Sequence, residues 1–440
     1  MSKARICLGF HEIAGYYYNL QEGMRDLGYK ADFFTVNQHA FKYRKNSNRN
    51  VLLSCIRELG KFKTKIYGNT RFSRRMYVIL SGLYSILVKL LFYYCLKKYD
   101  VFIFGVNSSF KDLFDYEDSN RLTFNDLEKL KKHNKKIIYI YHGSDARPPY
   151  MDGFTMSTTS GTVKECYDLT KAIKTKVEEV EKYADYIINA PATSQFHRVP
   201  IIDFIKIGVP FATSNISREP LLKQSSEIII LHSPSNPIAK GSPEIIRVVE
   251  KLIKQGYKIK LDLVSNQPNS VVLEKLRKAD IVVDQLYSDT PMAGFATEAA
   301  HFGKPVIVCG YYSEIYKEYL PKQLVPPTFF VHPDKLEETI IQLLERKELR
   351  EESGMAVKKF VKEQWGLENV AKKFERIIND DVPEDWYIDP FKIKYWQGCC
   401  IKDSNALKLM QDMLDAYGVE SLQLQDKPIL LNEILSKLKK

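Results

Sequence analysis

Residues 279–308 read ADIVVDQLYSDTPMAGFATEAAHFGKPVIV. Ile281, Val282 and Val283 form the short apolar run that a strand buried on both faces carries. Asp284 ends the run on a charge. A loop of small residues follows, Glu298 opens a short helix, Gly303 ends it, and Pro305 with Val306 to Val308 begins the next buried strand. An acid at the mouth of a helix, beside the carboxyl end of a parallel strand, lies where open α/β sheets bind nucleotides. There a carboxylate can take both hydroxyls of a ribose.

Working outward, the same alternation recurs on both sides. Before this stretch come a strand at Glu227–His232, a helix at Pro243–Gln255, a strand at Lys260–Val264 and a helix at Val271–Lys278. After it come helices at Pro333–Arg346, Leu349–Trp365 and Asn369–Ile378. The first half reads the same way. Strands are expected at Ile6–Phe10, Ala31–Val36, Val101–Phe104, Ile137–Tyr141 and Tyr186–Asn189. Helices are expected at Tyr17–Leu27, Phe124–His133 and Val163–Tyr183, with a long loop from His142 to Gly161. Strands alternating with helices argue for parallel sheets covered on both faces. Two such domains follow, 1–212 and 227–379. Residues 213–226, rich in Ser, Asn and Arg and without periodicity, are the expected hinge. The segment 380–440 holds Trp386, Trp396 and two amphipathic helices, Ala406–Tyr417 and Leu430–Leu438. Its aromatics point to a partly helical extension packed on the body.

A chain of 440 residues exceeds one hydrophobic core, which agrees with two domains. The apolar fraction of 45% and the charged fraction of 27% are those of a folded globular protein. Met1-Ser-Lys-Ala-Arg leads straight into the first strand with no secretory signal, and seven scattered Cys form no disulfide framework. A reducing cytoplasmic setting is the expectation. Cys399 and Cys400 are adjacent, lack metal-type spacing and read as ordinary thiols. No Asp-x-Asp pair, H-E-x-x-H, CxxC, P-loop or serine elbow occurs.

The net charge of +11 is concentrated. Between Phe41 and Arg75 stand eleven Lys/Arg against the single acid Glu58, a block of +10. Met76–Leu96 follows, an apolar segment long enough to span a bilayer. Ser81, Ser85 and Lys89 recur every four residues and mark one narrow helical stripe. Asp100-Val-Phe-Ile-Phe, a strand of the same domain, comes directly after. Three readings stand: a helix buried in the domain, a helix lying in a membrane interface, and a span. The basic block favours an anionic membrane surface as partner, peripheral on the inner face. The bland alternative is a solvated loop. Nucleic acid is disfavoured because no nucleic-acid module accompanies the charge.

Glu298-Ala299 with Gly303, Pro305, Val306 and Ile307 match the run E-A-x-x-x-G-x-P-V-I. The stretch thus resembles the carboxyl-terminal nucleotide domain of GT-B glycosyltransferases, in particular retaining family 4 and its relatives. The resemblance implies two Rossmann-like domains facing a cleft. It implies a nucleoside-diphosphate sugar as donor substrate, no cofactor and no metal, and a glycan or lipid-linked acceptor. The family carries the first of its two Glu where this chain has Thr290, so the sugar edge is expected to rely on backbone N–H groups of the Met292–Phe295 loop, with Ala293, Gly294 and Phe295 at the donor.

The run from His232 to Gly241 is similar to the family's diphosphate loop, which ends in Lys-Gly. A helix N-terminus and the charge of Lys240 suit a diphosphate. Ser233, Ser235 and Asn236 add neutral hydrogen bonds where the family adds an Arg, and Gly241 closes the loop. Asp284-Gln285 is similar to an Asp-Gln pair in a subgroup and points to base or ribose contact, or to a cap. In the first domain His142, Gly143, Asp145 and Arg147 sit at a strand's carboxyl end. His142 and Asp145 are expected to hold the donor sugar, Lys240 the leaving group, and Arg147 an anionic part of the acceptor. His11-Glu12 with Gly15 occupies the place of a Gly-rich loop. His11 and Glu12 are expected at the acceptor and Gly15 at the donor, or the segment is a simple turn. Tyr16 to Tyr18 offer stacking for a sugar or belong to the core.

Overall fold

The computed structural model describes residues 3–36, 50–68, 70–106, 108–114, 121, 123–211 and 227–439. The expected hinge and the first basic residues, Lys42, Arg44, Lys45 and Arg49, lie outside the described residues.

The first domain runs β1 (Arg5–Phe10), α1 (Tyr16–Asp26), β2 (Lys30–Thr35), α2 (Val51–Ile66), α3 (Arg71–Lys98), β3 (Val101–Gly105), α4 (Asp126–Lys132) and β4 (Lys136–Ile140). It continues with α5 (Gly153–Thr158), α6 (Val163–Glu181), β5 (Tyr186–Asn189), β6 (Ile201–Asp203) and α7 (Phe204–Ile207). Its sheet has the order β12-β6-β5-β4-β3-β1-β2, where β12 (Tyr387–Ile388) comes from the carboxyl-terminal segment. All pairs are parallel except β12 on β6. Alternate residues of one strand feed opposite faces: Ile6 and Leu8 enter one core, Cys7 between them the other.

The second domain runs β7 (Ile228–His232), α8 (Ser242–Lys254), β8 (Ile259–Leu263), α9 (Asn269–Lys278), β9 (Ile281–Val283), α10 (Gly294–His301), β10 (Val306–Cys309) and β11 (Phe329–Val331). Helices α11 (Leu336–Glu345), α12 (Lys347–Gln364) and α13 (Leu367–Ile378) complete it. Its parallel sheet has the order β11-β10-β9-β7-β8. The order reverses between β7 and β9, the switch point where such sheets leave a crevice at the strands' carboxyl ends. α13 returns to the first domain and lies on α1. A Cβ at Gly23 would stand 2.8 Å from Leu367 O, so glycine is what lets the two helices approach.

Several expectations are corrected. The loop after His142 contains α5, capped by Asp152. The basic block is helical over α2, capped by Asn50. α10 begins at Gly294, four residues before Glu298, which therefore stands in the second turn and not at the mouth. Ser85 is buried, whereas Val78, Ile79, Leu83, Ile86 and Leu90 are exposed, so the outer side of α3 is apolar. Helix α3 is long and apolar enough to cross a membrane by length and composition, and one of its sides, including Val88, Leu91 and Phe92, is in the first domain's core.

The carboxyl-terminal segment packs on the first domain through α14 (Asp403–Tyr417) and α15 (Pro428–Leu438). Tyr417 stacks on Tyr167 with ring centroids 4.5 Å apart. Residues 398–400 also tie the domains together: Cys399 N donates to Met151 O, and Cys400 N donates to Tyr287 O at 2.8 Å.

Candidate active site

Two adjoining cavities lie at the carboxyl ends of β7, β9, β4 and β5, and share Ile13, Ala14, Ala293 and Gly294. The first, about 290 Å³, is walled by Ser233, Ser235, Lys240, Asp284, Phe295 and Glu298 among others. It unites the end of β7, the end of β9 and the start of α10, as the second domain's topology dictates.

Its floor is set by hydrogen bonds within the loop. Asn236 Oδ1 accepts from Ile238 N and Ala239 N, each at 3.1 Å. Asn236 thus shapes the turn and does not face the cavity, which corrects its expected donor role. Gly241 has φ +71, and a Cβ there would meet Leu286 Cβ at 2.6 Å. Its role is to let α8 start close to the β9 loop. His232 is fully buried and joins β7 to Val283 O (2.8 Å) and to Ser242 Oγ (2.8 Å). Burial pushes it down to about 4, so it is a neutral structural tie.

The polar heads of this cavity form one coupled set. Lys240 Nζ donates to the Gln285 side-chain oxygen. Burial pulls the Lys240 ammonium down, but Asp284, Cys400, Cys399 and Asp289 together outweigh it and the group is raised overall. Asp284 in turn is raised by burial and drawn back by Lys240. Its Oδ2 is buried and without a partner, a vacant acceptor on the cavity wall. Glu298 Oε1 accepts from Asn269 Nδ2 at 2.7 Å. Burial pushes Glu298 up to about 8, Asn269 opposing and Asp284 adding to the rise.

The second cavity, about 160 Å³, is walled by His142, Tyr16, Asp289 and Thr290, with Phe204, Val209 and Met292 as apolar neighbours. His142 Nε2 lies 3.0 Å from Tyr17 Oη. Burial holds the Tyr17 phenol well above its usual range, so the phenol keeps its proton and pairs with Nε2 as a neutral group. Burial pushes His142 down to about 3. The ring is therefore neutral, with one N–H to donate and one nitrogen to accept.

Three first-domain residues do other work than expected. Asp145 Oδ1 accepts from His142 N and Gly143 N, both at 2.9 Å. It braces the loop and walls neither cavity, which corrects its role as a sugar ligand. Arg147 is 4% exposed, and its guanidinium is held by Asp289 and by Asp152 (Nη1–Oδ1 3.2 Å). It is a bridge between the domains and offers no free cation to an acceptor. Glu12 accepts from Tyr18 N at 3.0 Å and Tyr17 N at 3.3 Å, so its carboxyl oxygens cap α1, while burial pushes the group up to about 8 against these bonds. The anion-binding start of that helix is thus already filled, and Glu12 is not placed for an acceptor. Gly15 has φ +83 and makes the turn into α1. His11 walls neither cavity, and burial lowers it.

Asn266, Gln267 and Asn269 on the first cavity, and Asn189 and Thr193 on the second, were not singled out from the sequence. The signal for the first three was a polar turn directly after β8, at the sheet edge where ligands bind.

Fold and site together define a class: two Rossmann-like domains facing a cleft, the GT-B glycosyltransferase fold. An alpha-glucosyltransferase solved with UDP and a 13-mer DNA containing a central A:G mismatch shares this architecture, at 13% identity over 86% of this chain and 100% of that one, with a TM-score of 0.50. Anabaena HepE in complex with UDP-glucose matches at 12% identity over 86% of this chain and 100% of HepE, with a TM-score of 0.47. The glycosyltransferase SnogD from Streptomyces nogalater matches at 11% identity, over 85% of this chain and 100% of that one, with a TM-score of 0.39. No family model and no curated protein sequence matches the chain.

Proposed function

We propose that this chain is a glycosyltransferase that moves a sugar from a nucleoside-diphosphate sugar to a glycan or lipid-linked acceptor. The observation that carries the reading is the first cavity. It sets a cation (Lys240), a ribose-type carboxylate (Glu298) and an unpartnered acceptor (Asp284 Oδ2) at the switch point of the second sheet. The alpha-glucosyltransferase that shares the fold was solved with UDP, which supports a nucleotide in that place.

In this reading Lys240 stabilises the departing diphosphate, so the reaction needs no metal. Glu298 and Asn269 hold the ribose. His142 offers a neutral imidazole beside the sugar. The acceptor attacks from the face the diphosphate leaves, with retention, and the diphosphate takes the acceptor's proton. Positioning across the cleft supplies much of the rate. The reading places the chain with the retaining family 4 relatives, in surface polysaccharide or glycoconjugate synthesis at the cytoplasmic face of a membrane. Helix α3 supports the last point, since Phe72, Ile79, Leu83 and Ile86 are exposed on it and Arg71, Arg74 and Arg75 are exposed in its first turns. Each such cation is worth about 1 kcal/mol at an anionic surface. Flotation with anionic liposomes tests it: retention that disappears in an Ile79→Ser, Leu83→Ser, Ile86→Ser variant supports it, and no retention of the parent chain removes it.

Thr290 in place of an acid favours one second reading, a binding module that holds nucleotide sugars without turning them over. Thermal-shift screening against UDP, GDP, ADP and dTDP and their sugars tests the part both readings share. A shift with at least one nucleoside diphosphate is expected, and none with any of them would sink both.

A further inference from the structure

We infer that the second cavity selects an uncharged, hydroxyl-bearing sugar and rejects a uronate, with Asp289 as the residue that sets the choice. The inference rests on the nucleotide-sugar reading above. The second cavity opens from the first along Ile13, Ala14, Ala293 and Gly294, so whatever hangs on the distal phosphate enters it.

The heads that await a ligand there are neutral. Tyr16 is 2% exposed and its Oη has no partner, although the residue walls the cavity. Its ring is fixed edge-on to His142 at 5.2 Å and stacked on Phe204 at 5.8 Å. A buried phenol of this kind is satisfied by a hydroxyl and offers only one hydrogen bond to a carboxylate. His142 is neutral for the reason given above, and Thr290 adds a hydroxyl.

The charges present oppose an anion. Asp289 is 7% exposed and walls the cavity. Its ion-pair partner, Arg147, is shared with the fully buried Asp152, so one guanidinium faces two carboxylates. Lys240 walls the other cavity, donates to Gln285 and is drawn by Asp284 first and by Asp289 more weakly, so it is already engaged. A uronate carboxylate entering here would lose its water, find no free cation among the described residues and stand against Asp289. Burial of a charge without a partner is strongly unfavourable. A hydroxymethyl group at the same ring position meets none of these penalties.

Matched donors on one nucleotide test this, with UDP-glucose against UDP-glucuronate and GDP-mannose against GDP-mannuronate, titrated calorimetrically into the full chain. The free diphosphates UDP and GDP are titrated alongside. The expected result is that the neutral sugar binds at least about a hundredfold tighter than its uronate. Asp289→Asn removes one of the two carboxylates on Arg147, and should narrow that ratio about tenfold or more. Equal or tighter binding of the uronate by the parent chain, with the free diphosphate still bound, overturns the inference and leaves the nucleotide reading standing. Binding of neither diphosphate overturns both.

Discussion

Replacing Glu298 by Gln should make the folded chain more stable and its nucleotide site weaker. Glu298 is 6% exposed and accepts from Asn269 at 2.7 Å. Burial, with a further push from Asp284, lifts its carboxyl from the ordinary 4.5 to about 8. The folded chain therefore holds this proton more tightly than the unfolded chain does. The linked stability is constant below the unfolded value, falls as pH rises from about 4.5 to about 8, and is level above. Each pH unit in that window costs about 1.4 kcal/mol, so by pH 7 the ionisable group costs the fold about 3 kcal/mol. Gln keeps an oxygen for Asn269 and has no proton to lose. The variant should melt several degrees higher at pH 7 and at the same temperature as the parent near pH 4. Binding shows the opposite sign. Ribose hydroxyls donate best to a charged carboxylate, so a bound nucleotide sugar should displace the proton. The parent's affinity should rise with pH between about 6 and 8, by up to about tenfold per unit. The variant's affinity should be flat with pH and lower by about one to two orders of magnitude at pH 8, the worth of a hydrogen bond to a charged group. Calorimetric titration in buffers of different ionisation enthalpy reads the released proton directly, and scanning calorimetry reads the stability. Equal melting at pH 7, together with equal and pH-independent affinity, would refute the reasoning.

Lys240→Ala should weaken nucleoside diphosphates about ten- to a hundredfold while leaving a free nucleoside unchanged, because only the charge on the phosphates is lost; competition binding distinguishes the two ligands. His142 is neutral throughout the working range, since burial holds it down at about 3. His142→Phe should lower turnover about tenfold without moving any inflection of the pH–rate profile, and loss of an inflection near neutrality would show that the ring titrates. Arg147→Met leaves Asp289 and Asp152 buried without their cation and should cost about 3–5 kcal/mol, read by denaturant unfolding. Adding Asp289→Asn should recover part of that loss, and strict additivity of the two changes would argue against the bridge.

Much of the architecture could be read from local pattern. Ile281–Val283 is a strand with the bounds its apolar run sets, and Gly303 ends α10 at φ +68 as a helix-terminating glycine should. Lys240 and Glu298, each picked from its own stretch, wall one cavity. Part of what escaped depends on distant partners. β6 has three residues and is held in part by β12, nearly two hundred positions away, so no periodicity announces it. The start of α10 was missed because Ala293 supplies no side-chain cap. Arg147 looked like a free anion clamp, since nothing local to it shows that Asp289 lies opposite. Glu12 looked like a ligand contact because its capping bonds run to residues of the helix it precedes. Ser81, Ser85 and Lys89 share one stripe, but their spacing does not show that helix packing puts Ser85 inside and leaves apolar residues outside.

The central claim is sugar transfer from a nucleotide donor held by Lys240 and Glu298. Its most direct measurement is release of nucleoside diphosphate from each sugar nucleotide that the thermal-shift screen retains, with membrane extract as the source of acceptor. Release that depends on the extract and disappears in Lys240→Ala is the expected result. A donor that binds the parent chain tightly, yet yields no diphosphate with any acceptor source, would contradict transfer and establish a binding module in its place.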